Sequence, residues 1–431
     1  MKTSAVDSKA TPSNAMDAQR AKPVTQPKRC LKIAVLNRVF APTGGGAERY
    51  SIALVEQLAA RHDIHVFAQE INHQWPGVHY HRITCWFKKP RWLNQLWYAY
   101  ATQRAIQGAG QSATSEGFDI VHSHENVWHG NVHSMHVKTV QRSLLEGLSG
   151  GALMLRRIKI ALSPRLLTYL KLERTRLQAR SGTAVVAASQ TLQAELVAQY
   201  PHLAPIISTI TPGVTMPNQA VKQHLNQPLT QPLTQPLTQP QARAALGVPQ
   251  QGHYIAFIAN DYARKGLPTL LKALQGLPDV QLLVVGHAGQ VPQFKAAAQQ
   301  LGVDQRVHFL GPLSDVSPIY CAANVLAHPT LEDTFAMVVL EAMAHGVPVV
   351  VSGSDYCGIA SLLTHGKNAL LISDPQDAPE LQAALQAALY NADTHQQLAQ
   401  AGLAYAEQHT WQAAARRYEE VFYTCVATAK G

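Results

Sequence analysis

Two carboxylates and two cations define the chemistry open to this sequence. Asp333 and Glu341 stand eight residues apart in Pro329-Thr330-Leu331-Glu332-Asp333-Thr334-Phe335-Ala336-Met337-Val338-Val339-Leu340-Glu341, which runs on through Gly346 to Val347-Pro348-Val349-Val350-Val351. Arg264 and Lys265 are adjacent in Asn260-Asp261-Tyr262-Ala263-Arg264-Lys265-Gly266. On one helix, a rise of ~1.5 Å per residue sets the carboxylates roughly 12 Å apart. Carboxylates that work as a pair on one bond lie ~5–9.5 Å apart, so these two do not share a bond. Their spacing suits a long ligand with hydroxyls at both ends and negative charge between, a sugar–diphosphate–ribose. Amides at a helix start attract phosphate, and an Arg fork beside a Lys point charge can grip a diphosphate. A capped amphipathic helix with one surface glutamate accounts for the acidic residues equally well.

The elements around these residues read as strand–loop–helix units. Asp333 and Thr334 are N-cap residue types, Phe335 to Met343 offers a broad apolar face, Gly346 is a stop, and Val347 to Val351 is a buried parallel strand. The Arg–Lys loop follows the strand Tyr254 to Ala259 and precedes the helix Leu267 to Leu274. Strands at Gln281–Val285, Val307–Leu310 and Val325–His328 alternate with helices at Pro292–Leu301 and Val316–Ala322, which predicts a parallel, doubly wound sheet. Tyr356-Cys357-Gly358 forms a further loop at a strand end.

A similar opening occurs near the start of the chain. Strand Leu31–Leu36 leads through Arg38–Thr43 into Gly44-Gly45-Gly46 and the helix Ala47–Arg61, followed by a strand at Ile64–Ala68. Glycines let backbone amides approach a ligand closely; a tight turn explains the same triplet, which is not GxGxxG. Strand Phe118–His122 ends in His122-Ser123-His124-Glu125, followed by His129, His133 and His136. His129 and His133 share helical spacing, but Gly130 and Asn131 disfavour a helix there and no Cys accompanies them, so no metal site is expected. His136 closes the predicted strand Asn131–Val137 and is the preferred candidate to face a cleft at the strand ends, where open α/β sheets bind ligands.

Composition bounds the rest. The 431 residues suffice for two domains with full cores, and 46% apolar against 15% charged content describes a globular protein. No apolar run reaches the ~18 residues of a spanning helix. Residues 1–29 are polar, lack an apolar leader segment and are expected to be a disordered tail. Five scattered cysteines without a CxxC pair imply reduced thiols and a cytoplasmic setting. Residues 1–180 carry 25 Lys and Arg against 11 Asp and Glu, a net +14, while residues 181–431 carry 11 against 16, a net −5; the sum is the chain's +9. The basic half is expected to meet an anionic surface or acceptor. No nucleic-acid motif or stacking platform appears, so nucleic acid is not an expected partner. Trp75, Trp86, Trp92 and Trp97 beside Lys88, Lys89 and Arg91, and the basic amphipathic stretch Leu153–Gln178, fit the cytoplasmic face of a membrane as well as they fit ordinary loop, core and solvated-helix residues.

The expected organisation is a tail (1–29), a first Rossmann-like domain on the acceptor side (30–204), and a second domain (205–408) that binds the nucleotide sugar. The connection falls near 201–206, a low-complexity insertion at 219–241 contains the QPLT repeat, and a C-terminal helix at 409–431 packs back on the first domain.

With these pieces in order, the chain resembles the GT-B glycosyltransferases of family 4 over roughly residues 30–425, and within them the lipopolysaccharide core glucosyltransferase I group. The resemblance rests on NDYARKG, LLVVGHAG, LGVDQRVHFLG and HPTLEDTFAMVVLEAMAHGVPVVVSG. It implies two Rossmann-like domains facing across a cleft. Glu341 would hold the ribose hydroxyls, Asp333 a hydroxyl of the transferred sugar, and Arg264 and Lys265 the diphosphate, with amides near Ala336 and Met337 and the loop Gly44–Gly46 assisting. His136 matches the first-domain histidine that contacts the donor sugar. Asp333 replaces the usual first Glu of the family's E-x7-E motif, one methylene shorter. The activity implied is retaining, metal-independent transfer of a hexose, glucose by the resemblance, from a nucleotide sugar such as UDP-glucose to a glycolipid or other anionic acceptor at the inner membrane. No further cofactor is implied. A sugar-nucleotide epimerase of the same fold and a non-catalytic sugar-nucleotide binder are the alternatives.

Overall fold

In the computed structural model, two all-parallel sheets are the scaffold on which every candidate residue is placed. The structure describes residues 29–42, 46–110, 117–217 and 237–429. Residues 1–28 of the expected tail, Gly44 and Gly45, and most of the QPLT repeat lie outside the described residues.

The first sheet contains β1 (Lys32–Leu36), β3 (Asp63–Ala68), β5 (Val78–Arg82), β6 (Ile120–Ser123), β7 (Val132–Met135), β8 (Ala184–Ala187) and β9 (Ile207–Thr209), in the order β5-β3-β1-β6-β7-β8-β9. A short pair, β2 (Val39–Phe40) with β4 (Glu70–Ile71), flanks it. The second sheet contains β10 (His253–Ala259), β11 (Val280–Gly286), β12 (Val307–Gly311), β13 (Val325–His328), β14 (Val349–Ser352) and β15 (Leu370–Ile372), in the order β12-β11-β10-β13-β14-β15. Near-continuous Val, Ile and Leu runs form these strands because helices cover both faces of a parallel sheet. Strand order reverses between β1 and β6 in the first sheet and between β10 and β13 in the second. Ligands of such sheets bind at the carboxyl ends of the strands beside that reversal. Gly46 and the segment His124–Glu125 occupy this position in the first sheet. Arg264–Gly266 and Pro329–Asp333 occupy it in the second.

Several expectations shift. The sheet of the first domain continues to β9, which pairs with β8, so the chain leaves that sheet after Thr209 rather than within 201–206. The helix Trp411–Ala429 joins the first domain's core through Trp411, Ala415, Tyr418 and Phe422. The two crossings between domains therefore lie side by side: Val214 pairs with Thr410, and a Cβ on Gly213 would come within 2.4 Å of the Trp411 nitrogen. The basic stretch expected as one unit at Leu153–Gln178 is two helices, Gly150–Ala161 and Pro164–Arg176. Pro164 cannot continue a helix but suits a first turn, and Ser163 caps it through the Leu166 amide. Predicted strand Asn131–Val137 is shorter, so His136 follows β7 by one residue. Trp92 and Trp97 belong to a long helix, Arg91–Gly110, and Trp97 donates to the Thr84 carbonyl.

Candidate functional site

On the second domain, glycine geometry brings the cations to the acids. Gly266 has φ +83°, and a Cβ there would sit 1.9 Å from the Pro329 carbonyl oxygen, so only glycine lets the Arg264–Gly266 loop lie against Pro329–Leu331. Leu331 N–H donates to the Arg264 carbonyl at 2.9 Å, sealing the two loops together. Lys265 Nζ then donates to Asp333 Oδ2 and to the Glu332 carbonyl, each at 2.7 Å. Arg264 Nη2 lies 2.7 Å from Glu332 Oε2. Arg264, Lys265 and Asp333 thus share one surface, with Glu332 as a fourth member.

Asp333 is not the helix cap expected from sequence. The helix is Met337–Ala344, and the residue before it, Ala336, takes the cap position with φ 72°, the only non-glycine positive φ among the described residues. Such a conformation costs about 1–3 kcal/mol and persists where surroundings impose it. Asp333 imposes it here: its Oδ1 accepts from Phe335 N–H at 3.2 Å and Ala336 N–H at 2.9 Å. Its Oδ2 is shared by Lys265 and His328 Nε2, the latter at 3.1 Å. Four partners match the lone pairs of a carboxylate, so in this structure the chain itself satisfies the group expected to hold a sugar hydroxyl. Burial works to raise the Asp333 pKa, but His328 and the Lys265 ammonium outweigh it and hold the carboxyl well below the usual range. The Ala336 amide, expected to face phosphate, is committed to Asp333; the helix start leaves Met337 and Val338 at its open end. The 12 Å estimate also loses its basis, because only Met337–Glu341 of the interval is helical.

Glu341 lies one turn along that helix. Tyr320 OH donates to its Oε2 at 2.7 Å, and the Tyr320 ring packs against His345 at 5.0 Å. Burial, then the Glu341 charge, push the Tyr320 phenol well above its usual pKa; Arg49, from the first domain, opposes that shift across the gap between domains.

Other residues also meet across this cleft. A Cβ on Gly46 would lie 3.8 Å from Met337 Sδ, so the end of the glycine loop faces the helix start. Met337 touches both domains' cores. Lys138 Nζ reaches to 3.4 Å from Glu332 Oε1. A cavity of about 330 Å³ lies between the domains, lined by Lys138, Arg142 and Ser189 on one side and Glu332, Asp333 and Tyr356 on the other.

His136 stands in a half-buried histidine group. Its Nε2 is 3.1 Å from His124 Nδ1, the rings are parallel at 5.3 Å, and Tyr50 packs 4.3 Å from it. Tyr50 belongs to the helix Gly46–Leu58, so Gly46 and His136 share one support. Burial first, then the Arg176 charge, push the His136 pKa down to about 3, so it works as a neutral imidazole. Arg176 donates to the Ser123 and Ser134 carbonyls, bracing the ends of β6 and β7 from which His124 and His136 project. His122 and His129 are packing residues, bonded to Ser134 and Thr102. His328, Tyr320 and Lys138 were not singled out from sequence, and Arg176, expected on the exposed basic stretch Leu153–Gln178, is instead buried. The His-Pro pair at the end of a predicted strand was the one available signal, for His328.

Residues 44–216 match the family model for Glycosyltransferase Family 4, and residues 238–404 match that for Glycosyl transferases group 1. Lipopolysaccharide glucosyltransferase WaaG of Escherichia coli K12 is 32% identical over 148 residues, 33% of this chain and 39% of the relative. A phosphatidyl-myo-inositol mannosyltransferase of Mycobacterium tuberculosis is 35% identical over 196 residues, 41% of this chain and 49% of the relative. The matches thus span less than half the length of these curated relatives. Among solved structures, WaaG superposes with TM-score 0.73 at 20% identity, covering 90% of this chain and 99% of that one. Anabaena Alr3699/HepE in complex with UDP-glucose gives 0.68 at 19% identity, covering 91% and 100%. The chain belongs to the GT-B glycosyltransferases, with a family 4 domain followed by a group 1 domain.

Proposed function

We propose that this chain is a retaining hexosyltransferase that moves glucose from UDP-glucose to a membrane-associated glycolipid such as the lipopolysaccharide core. The observation that carries this reading is Lys265, held 2.7 Å from Asp333 just before the helix Met337–Ala344, whose first residue, Met337, faces Gly46 across the cleft. Lys265 and Arg264 take the diphosphate, releasing Asp333 and Glu332 in part as the anion arrives. The amides of Met337 and Val338 and the helix dipole add to that anion site. Glu341 holds the ribose, with Tyr320 fixing its rotamer, and neutral His136 meets the donor sugar. Asp333 acts on the sugar either through an exchanged hydrogen bond or through His328 and Lys265, which it orients.

No second carboxylate stands as a nucleophile in this reading, so the acceptor hydroxyl attacks the face the diphosphate leaves. The departing phosphate oxygen takes the acceptor's proton. Stabilising the charge that develops on the diphosphate is then the main catalytic contribution, and because Arg264 and Lys265 supply positive charge there, the transfer is expected to be metal-independent. The acceptor enters from the first domain, whose helix Gly150–Ala161 exposes Met154, Leu155 and Ile158 beside Arg157 and Lys159. No helix of the described residues is long and apolar enough to cross a membrane. Attachment at the cytoplasmic face of the inner membrane through this basic domain is therefore part of the proposal.

The test incubates purified chain with UDP-, GDP- and ADP-hexoses, with and without a lipid acceptor, and reads product anomer by NMR. An α-linked glycolipid formed from an α-linked donor in the presence of EDTA is the expected outcome. Donor isomerisation without acceptor would instead indicate an epimerase, and donor binding without turnover a non-catalytic binder.

A further inference from the structure

The edge of the first sheet gathers ligand-type side chains away from the cleft. β5 is the edge strand and pairs with β3 so that His79 stands opposite His65 and His81 opposite Phe67. Alternation along a strand puts His79 and His81 on one face, and Asp63 and His65 on the same face of β3. His65 Nε2 lies 3.1 Å from Asp63 Oδ1, and His79 Nε2 lies 3.5 Å from that same oxygen. One donor atom from each of the three residues falls within 4.8 Å of the others. A tetrahedral ion with bonds of ~2.05 Å has donor–donor edges of about 3.3 Å, and the two measured separations bracket that edge.

The ring of His65 is held from both sides. Its Nε2 faces the Asp63 carboxylate, whose Oδ1 is its partner there. The other nitrogen of that ring, Nδ1, lies 2.8 Å from His81 Nε2. A histidine that donates from Nδ1 presents a lone pair at Nε2, the arrangement found behind metal-bound imidazoles.

We propose that Asp63, His65 and His79 form a site for one divalent transition metal of the Zn²⁺ class, with His81 fixing the ring of His65. Two imidazoles and one carboxylate favour Zn²⁺, Co²⁺ or Ni²⁺ over the all-oxygen preference of Ca²⁺ and Mg²⁺. His79 is 63% exposed, so solvent supplies the remaining position. Lys32, set over the Phe118 ring that packs on His65, is the nearby cation that weakens the site. Asp63 is the first residue of β3, at the end of the sheet opposite the strand carboxyl ends where the cleft lies. The ion therefore clips the edge strand to its neighbour and takes no part in transfer. Covering or tying an edge strand also protects it from pairing with another chain.

The test uses the full chain, stripped with EDTA, dialysed and titrated with ZnCl₂ and CoCl₂. One equivalent should bind, raise Tm, and give Co²⁺ the visible absorption of a low-coordinate site. Asp63→Asn and His79→Ala should abolish both the equivalent and the Tm gain, and His81→Ala should weaken binding by about 10–100-fold. His202→Ala should change neither. If Asp63→Asn fails to fold, the exposed His79→Ala and His79→Gln variants decide the matter. Absence of a bound equivalent in wild type, or binding unchanged in the His79 variants, overturns the site. Neither result bears on the transferase reading, because glycosyl transfer is assayed separately.

Discussion

Lys265 Nζ donates to Asp333 Oδ2 at 2.7 Å, across 68 residues of sequence and between the loops that end β10 and β13. That bond joins the two loops beside the strand-order reversal of the second sheet. The same carboxylate props Ala336 in its left-handed conformation, so the cation, the acid and the helix start form one unit rather than three independent ligands.

Replacing Lys265 by Ala should therefore slow transfer more than it weakens binding. Loss of one donor to developing charge lowers kcat by about 10²–10³. The variant also leaves Asp333 with His328 as its remaining side-chain partner, and a hydrogen bond to a charged group contributes about 1.5–3 kcal/mol of stability. Steady-state kinetics with urea unfolding check both effects. Wild-type kcat in Lys265→Ala would remove this residue from the mechanism.

Two acid-sensitive groups should separate by pH. Burial and neighbouring positive groups push His122 and His136 down to about 3, so the folded protein holds them neutral while the unfolded chain protonates them near ~6.5. Stability is then highest above ~6.5 and falls as pH drops toward 3, by up to about 1.4 kcal/mol per pH unit for each histidine. Asp333 behaves differently. Its folded pKa is depressed, so its contribution is complete above the unfolded value of ~3.9 and is lost only as pH falls below that. Denaturant unfolding from pH 8 to 4 should show the first decline, reduced in His122→Gln and unaltered in slope in Asp333→Asn. A flat profile over that range would contradict the buried neutral histidines.

Legibility from sequence followed the physics of each element. Continuous apolar runs such as Val325–His328 and Val349–Ser352 announced buried parallel strands, and chemistry at their carboxyl ends, Arg264, Lys265, Asp333 and Glu341, was visible because the strands were. By contrast β5, Val-His-Tyr-His-Arg, is an exposed edge strand and shows no such run. Ala336 could not be identified as the cap, since its conformation comes from Asp333 and not from its own preference. Tyr320–Glu341, Lys138–Glu332 and Arg176 with the strand-end carbonyls join residues brought together only by the fold.

Glu341→Ala should weaken donor binding without changing the fold. Its Oε2 is fixed by Tyr320, leaving the other oxygen for a ligand hydroxyl. A charged hydrogen bond of about 1.5–3 kcal/mol corresponds to a loss of roughly 10–150-fold in affinity. Tyr320→Phe should lose less, since it frees the rotamer and leaves the charge. Calorimetric titration with UDP-glucose orders the two variants, and equal affinities for Glu341→Ala and wild type would remove this carboxylate from the nucleotide site.

The membrane-facing part of the proposal is open to a physical test. Leu155 and Leu162 are 69% and 79% exposed, and with Met154 and Ile158 they form an apolar strip bordered by Arg157, Lys159 and Arg165. Cations near an anionic bilayer contribute about 1 kcal/mol each, an attraction that salt screens. Burying a leucine side chain contributes about 1.5–3 kcal/mol. Two substitutions, Leu155→Ser with Ile158→Ser, should therefore lower partitioning into phosphatidylglycerol vesicles by about two orders of magnitude or more. Charge reversal at Arg157 and Lys159 should instead reduce binding mainly at low salt. Flotation with vesicles of graded anionic content at ~0.1 M and ~1 M salt separates the apolar and ionic parts, because the screening length shrinks from ~10 Å to ~3 Å over that range. Partitioning that ignores both salt and the serine substitutions would place the membrane contact on another surface.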